Sequence, residues 1–182
     1  MKLKIKIFLI IAVIIGILFC VLLFNNDSNQ KDYPQLIDNN EYQVFLFKSR
    51  LNFPLSFVVH PWFVLNNKGE ISRWEIRQID TYGEATHWGY LYKDRSPFFK
   101  GTRIFTFSNK LINKIKLVGE VEGEEASKII NFIQNSPTTY PFSEKYILMG
   151  PNSNTYVQWV INNFPDSNLK LPWNAFGKNY KE

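Results

Sequence analysis

The chain has 182 residues, a formal net charge of +5 and one cysteine, and each figure closes off a class of function. Cys20 alone gives the chain no disulfide, and no cysteine nucleophile or metal ligand beyond residue 20. Three of the 21 basic residues, Lys2, Lys4 and Lys6, precede an apolar run; the remaining 18 face 16 acidic ones, with no basic stripe for nucleic acid.

Residues 7–24 (IFLIIAVIIGILFCVLLF) hold no charge over 18 positions. At about 1.5 Å of rise per residue a helix of that length spans roughly 27 Å, close to a bilayer's hydrocarbon core. A lone span must be helical, because lipid offers its backbone no hydrogen bonds. The lysines ahead of it predict a cytoplasmic N-terminus and an exported remainder, in a single-pass protein of the inner (cytoplasmic) membrane. A cleaved signal peptide is the alternative, but its apolar region is shorter and ends at small residues, not at Phe24-Asn25-Asn26-Asp27. A lipoprotein would need a small residue where Phe19 precedes Cys20. The expected organisation is an anchor over 1–24, a polar tether over 25–40 and one globular domain over 41–182, long enough for a single core.

In chain order, residues 42–47 (YQVFLF) and 55–65 (LSFVVHPWFVL) have the aromatic and β-branched content of strands, and 71–77 (ISRWEIR) alternates. Parts of 102–107 and 114–121 alternate as well. Residues 124–135 place Ala126, Ile129, Ile130 and Ile133 on one helical stripe, with Glu124 and Glu125 in the first turn and Pro137 beyond the end. A second helix over 154–164 buries Tyr156, Val157, Val160, Ile161 and Phe164, between Gly150-Pro151 and Pro165. Strands first and helices after predict an α+β fold, an antiparallel sheet packed by two main helices.

The turn-forming residues 66–69 suggest a hairpin with a four-residue loop. That register sets Trp62 opposite Arg73 and His60 opposite Glu75, on the more polar face of the sheet, where a carboxylate would fix the imidazole tautomer. Phe57, Val59, Phe63, Leu65, Trp74 and Ile76 would face the core. Ser153, where Gly150-Pro151 turns into the second helix, is the candidate nucleophile: amides at a helix start can stabilise an oxyanion, and His60 with Glu75 would supply the base. Capping the helix is the plainer role for this serine. His87 is a competing base, although His87-Trp88-Gly89 also reads as the start of a strand.

Several blocks carry a resemblance: His60-Pro61-Trp62, Arg73-Trp74-Glu75-Ile76, Tyr140-Pro141-Phe142, Gly150-Pro151-Asn152-Ser153-Asn154-Thr155-Tyr156 and Ala175-Phe176-Gly177-Lys178-Asn179-Tyr180. They resemble the signature blocks of a bacterial family of uncharacterised membrane-anchored proteins. A strand bearing histidine, followed by a helix that opens on a nucleophile, is also similar to the permuted papain-like folds of the NlpC and lecithin:retinol acyltransferase type. That similarity implies cleavage of cell-wall peptides or acyl transfer, with Ser153 where those enzymes carry cysteine. A serine hydroxyl is the weaker nucleophile and needs full activation by a base.

Two functions fit. One is a membrane-tethered serine hydrolase or acyltransferase, with Ser153, His60 and Glu75, acting on envelope peptides, amides or lipid. The other is a non-catalytic envelope-binding domain whose groove is lined by Trp62, Asn152, Asn154, Thr155 and Trp159. Two histidines without an HExxH pattern make a poor zinc set, and no glycine-rich phosphate loop is present, so no metal or cofactor is expected.

Overall fold

Five strands form one antiparallel sheet in the order β4-β3-β2-β1-β5 in a computed structural model that describes residues 33–51, 55–78, 88–101 and 115–181. The strands are β1 (Tyr42–Arg50), β2 (Val59–Asn67), β3 (Glu70–Ile76), β4 (Leu91–Lys93) and β5 (Ile115–Glu122). Helices follow: α1 (Gly123–Gln134), a single turn α2 (Ser136–Thr139) and α3 (Ser153–Asn163). The α+β architecture with two main helices is the expected one. The apolar run 7–24, the strand candidate 102–107 and His87 lie outside the described residues. Among the described residues no helix is long and apolar enough to cross a membrane.

Side chains alternate across a strand, so β2 divides its residues between two cores. Val59, Phe63 and Leu65 join Val44, Leu46, Trp74 and Ile76 beneath the apolar stripes of α1 and α3. Ala126, Ile129, Ile130 and Ile133 of α1 are buried there with Tyr156, Val157, Val160 and Ile161 of α3, as their spacing requires. The opposite face holds a second cluster of Tyr33, Phe45, Phe47, Trp62 and Val64, with Phe98, Phe99 and Leu36 packed against it. The polar face expected for His60 and Glu75 is therefore enclosed.

Part of that cover comes from the stretch expected to be tether. Tyr33–Leu36 is a turn of 3-10 helix, and Tyr33 packs edge-on against Phe47, with ring centroids 4.9 Å apart. Its hydroxyl donates to the Ile115 carbonyl at 3.4 Å. Gln43 binds the same stretch, donating to the Leu36 carbonyl and accepting from the Asp38 amide. An apolar aromatic with a partner for its hydroxyl joins the core, whatever the polarity of its neighbours.

The β2–β3 turn is tighter than expected. Lys68 and Gly69 both have positive φ, 50° and 95°, as a two-residue hairpin of right-handed twist requires. Asn66 accepts from the Gly69 amide at 2.7 Å. Asn67 pairs with Glu70, and Val64, not Trp62, with Arg73. The register is displaced by two residues, an even number, so the side chains from Val59 to Ile76 keep the faces assigned to them; Phe57, expected in the core, lies ahead of β2 and is 51% exposed.

Candidate functional site

His60 and Glu75 meet on the second face. His60 Nε2 lies 2.8 Å from Glu75 Oε2. In the observed register they are diagonal neighbours, not directly opposed; a two-residue offset remains within reach of long side chains. The same oxygen accepts from Arg73 Nη2 at 2.8 Å, and Arg73 Nη1 donates to the carbonyls of Pro97 (2.8 Å) and Lys100 (2.5 Å). The guanidinium lies 4.1 Å from the centre of the Trp62 ring, whose Nε1 donates to the Phe98 carbonyl, and His60 stacks beside that ring.

Arg73 is the residue that sequence reasoning missed as a partner. The signal was there: Arg73 and Glu75 are two apart on one strand and so share a face. Arg73, Glu75 and Trp62 are all fully or almost fully buried. Burial alone would raise the Glu75 carboxyl, but the hydrogen bond and charge of His60, followed by those of Arg73, outweigh it and lower it to about 2. Burial lowers Arg73 from the usual guanidinium value, against the opposing pull of Glu75.

Glu75 therefore titrates lower when folded than its ordinary unfolded value. Its contribution to stability is fully present above that unfolded value and is lost as pH falls towards about 2. The difference is worth roughly 3 kcal/mol. Denaturant unfolding of the wild type should weaken between about pH 5 and 2 more steeply than that of Glu75→Gln; equal slopes would refute the pairing.

Ser153 opens α3, but it is not the cap. Asn152 holds that position: its Oδ1 accepts from the amides of Asn154 (2.9 Å) and Thr155 (3.3 Å), and Thr155 Oγ1 accepts from the Asn152 amide. This reciprocal box satisfies the first donors of the helix. Asn152 Nδ2 donates to the carbonyls of Ile147, Leu148 and Phe176, and Thr155 Oγ1 to that of Gly177. Gly177 has φ 88°, and a Cβ there would meet Asn152 Nδ2 at 2.5 Å, so this junction requires glycine.

These bonds account for Asn152 and Thr155 as framework. Ser153 is 3% exposed, and its hydroxyl makes no hydrogen bond among the described residues. Asn152→Ala should therefore cost about 1–2 kcal/mol through the lost cap, and Ser153→Ala well under 1 kcal/mol, in urea unfolding. The reverse order would restore capping as the serine's role.

The helix start meets the sheet through Asn154, whose Nδ2 donates to the carbonyls of Val59 (3.2 Å) and Phe176 (2.8 Å). Val59 precedes His60, and Asn154 follows Ser153. The two candidate residues thus flank one hydrogen bond at the end of the sheet where β2 begins. They do not hydrogen-bond to each other: α3 packs on the first face, with Tyr156 against Phe63, while the His60 ring points to the second. With Nε2 held by Glu75, the other ring nitrogen, Nδ1, is the one available to take a proton from a hydroxyl.

Among the described residues the side chains expected to line an aromatic groove are buried or packed on different faces. Trp62 is 0% exposed under Arg73, and Trp159 packs with Phe132 and Tyr140 on the helix side. Asn152, Asn154 and Thr155 are buried as well. Among the described residues no group of three histidine, cysteine or acidic side chains could hold a metal ion.

No curated protein and no solved structure matches the chain. A family model described as "Protein of unknown function (DUF3750)" matches residues 41–180, which include all five strands and α1–α3. The chain belongs to this family.

Proposed function

We propose that the domain is a membrane-tethered serine hydrolase or acyltransferase of the permuted papain-like kind, acting on envelope peptides, amides or lipid. The observation that carries this reading is the Ser153 hydroxyl: a nucleophile at the start of an eleven-residue helix, bypassed by the cap and without a hydrogen-bond partner among the described residues. The His60–Glu75 pair at the adjoining sheet end supports a base whose tautomer is fixed by a buried carboxylate, the order that nucleophilic catalysis needs.

In the proposed step, Ser153 Oγ attacks the substrate carbonyl carbon and its proton passes through a water at the end of the sheet beside Val59 to His60 Nδ1, since α3 and the His60 ring lie on opposite faces. The amides of Asn154 and Thr155 are taken by Asn152, so the Ser153 amide is the donor left at the helix start for the developing oxyanion. Collapse breaks the bond to the leaving group, which receives the proton from His60 and leaves an acyl-serine. Water or an acceptor alcohol or amine then releases the acyl group by the reverse sequence. The anchor over residues 7–24 would hold this chemistry at the outer side of the membrane.

Short-chain p-nitrophenyl esters and a muropeptide amide, assayed with the full chain, test the reading. Turnover should occur and be lost in Ser153→Ala with circular dichroism unchanged. Folded wild-type protein without turnover on any of them, or turnover retained in Ser153→Ala, would overturn it.

A further inference from the structure

Among the described residues five large apolar side chains are exposed, and they gather where α3 begins: Phe57, Ile147, Leu148, Met149 (65%) and Trp173 (82%). Their contiguity is built. Asn152 binds the carbonyls of Ile147 and Leu148 on one side and of Phe176 on the other. Phe176 packs edge-on against Phe57 at 5.8 Å, and Asn174, next to Trp173, donates to the Phe57 carbonyl at 2.7 Å. The framework that caps α3 therefore also holds an apolar patch open to solvent, and patches of this kind mark interaction sites.

We infer that this patch is a membrane-docking face, seated in the headgroup region of a lipid bilayer. Two observations select lipid over a protein partner. Eight residues, 25–32, separate the apolar run from Tyr33, nine steps of chain that extend to at most about 32 Å. Tyr33 lies by Phe47 and the Ile115 carbonyl, at the end of the sheet where β2 and β5 begin, and the patch borders that same end through Phe57. Charge agrees as well. Lys145, Lys170, Lys178 and Lys181 flank the patch in sequence, against Glu144, Asp166 and Glu182, a net basic excess of one. Basic residues around exposed tryptophan, phenylalanine and leucine suit an anionic lipid surface.

The inference rests on residues 7–24 spanning the membrane and is independent of whether Ser153 reacts. Docking would bring the start of α3 to the level of the lipid headgroups.

Site-directed spin labelling of the full chain in phosphatidylcholine–phosphatidylglycerol vesicles tests it. A nitroxide on native Cys20 reports the span. In a Cys20→Ser background, Met149→Cys reports the patch, and Lys128→Cys, on the exposed side of α1, serves as the aqueous reference. At Met149, collisions with dissolved oxygen should exceed those with a water-soluble nickel chelate; at Lys128 the order should invert. Nickel access at position 149 equal to that at 128 would overturn docking. So would low access to both reagents there, the mark of cover by protein, whether a partner, a second copy or the 7–24 run. A Cys20 label reached by nickel would instead refute the span, which separates the two failures.

Discussion

Glu75→Leu should lose roughly 3–5 kcal/mol of unfolding free energy, because it strands the Arg73 guanidinium in the core without its carboxylate. A domain of this size has about 5–15 kcal/mol in total, so the variant should be partly unfolded near room temperature or close to it. The cost is that of leaving one charge behind, not the net worth of the pair. Arg73→Met combined with Glu75→Leu should accordingly recover much of the loss, since a buried ion pair is often no better than apolar groups of similar volume. Urea denaturation of the wild type and the two variants checks this. If the double variant is as unstable as Glu75→Leu, the carboxylate matters chiefly to His60 and not to Arg73.

The second large effect is chemical. Ser153→Cys, in a Cys20→Ser background, puts a thiol at the start of α3, beside Asn154, whose side chain donates to the Val59 carbonyl. An ordinary cysteine is only a few per cent thiolate at pH 7. A helix start and a nearby imidazolium that bring it to half ionisation would raise the thiolate fraction about 15-fold. Iodoacetamide should modify this cysteine correspondingly faster than a free thiol at pH 7, and His60→Gln should remove the acceleration. A thiol that reacts more slowly than free cysteine at every pH would mark position 153 as a dry packing site.

Much of this fold could be read from residues, and the failures have physical causes. The stripe of Ala126, Ile129, Ile130 and Ile133 and the run from Tyr156 to Ile161 located both helices within a residue, because periodic burial is a strong local signal. The faces of β2 and β3 were legible for the same reason, and they survived a wrong loop length because the displacement was even. The register itself turned on Lys68 adopting positive φ, which composition does not announce for a lysine. Of β4 only a start was legible, at His87-Trp88-Gly89, because three residues at a sheet edge are too few to show alternation. Tyr33 was read as tether because its neighbours are polar, whereas its burial depends on Phe47 and Phe99, distant in sequence.

The site was half legible. His60 and Glu75 were paired from strand geometry, and the contact exists by a different register. Ser153 was weighed as a cap because serine favours that position, but Asn152, one residue earlier, competes for the same donors and holds them. Trp62 was assigned to an open groove; Arg73 stacked on it shows why a tryptophan beside a buried ion pair is better used as cover. None of the long-range cover from residues 97–100 could be inferred from spacing.

The central claim is that Ser153 is an activated nucleophile, and covalent labelling tests it most directly. The full chain, treated with a fluorophosphonate and digested, should yield one modified peptide by mass spectrometry, with the adduct on Ser153. Ser153→Ala should yield none, and His60→Gln should label far more slowly. Folded wild-type protein that stays unmodified, or an adduct on another residue with Ser153 intact, would contradict the account.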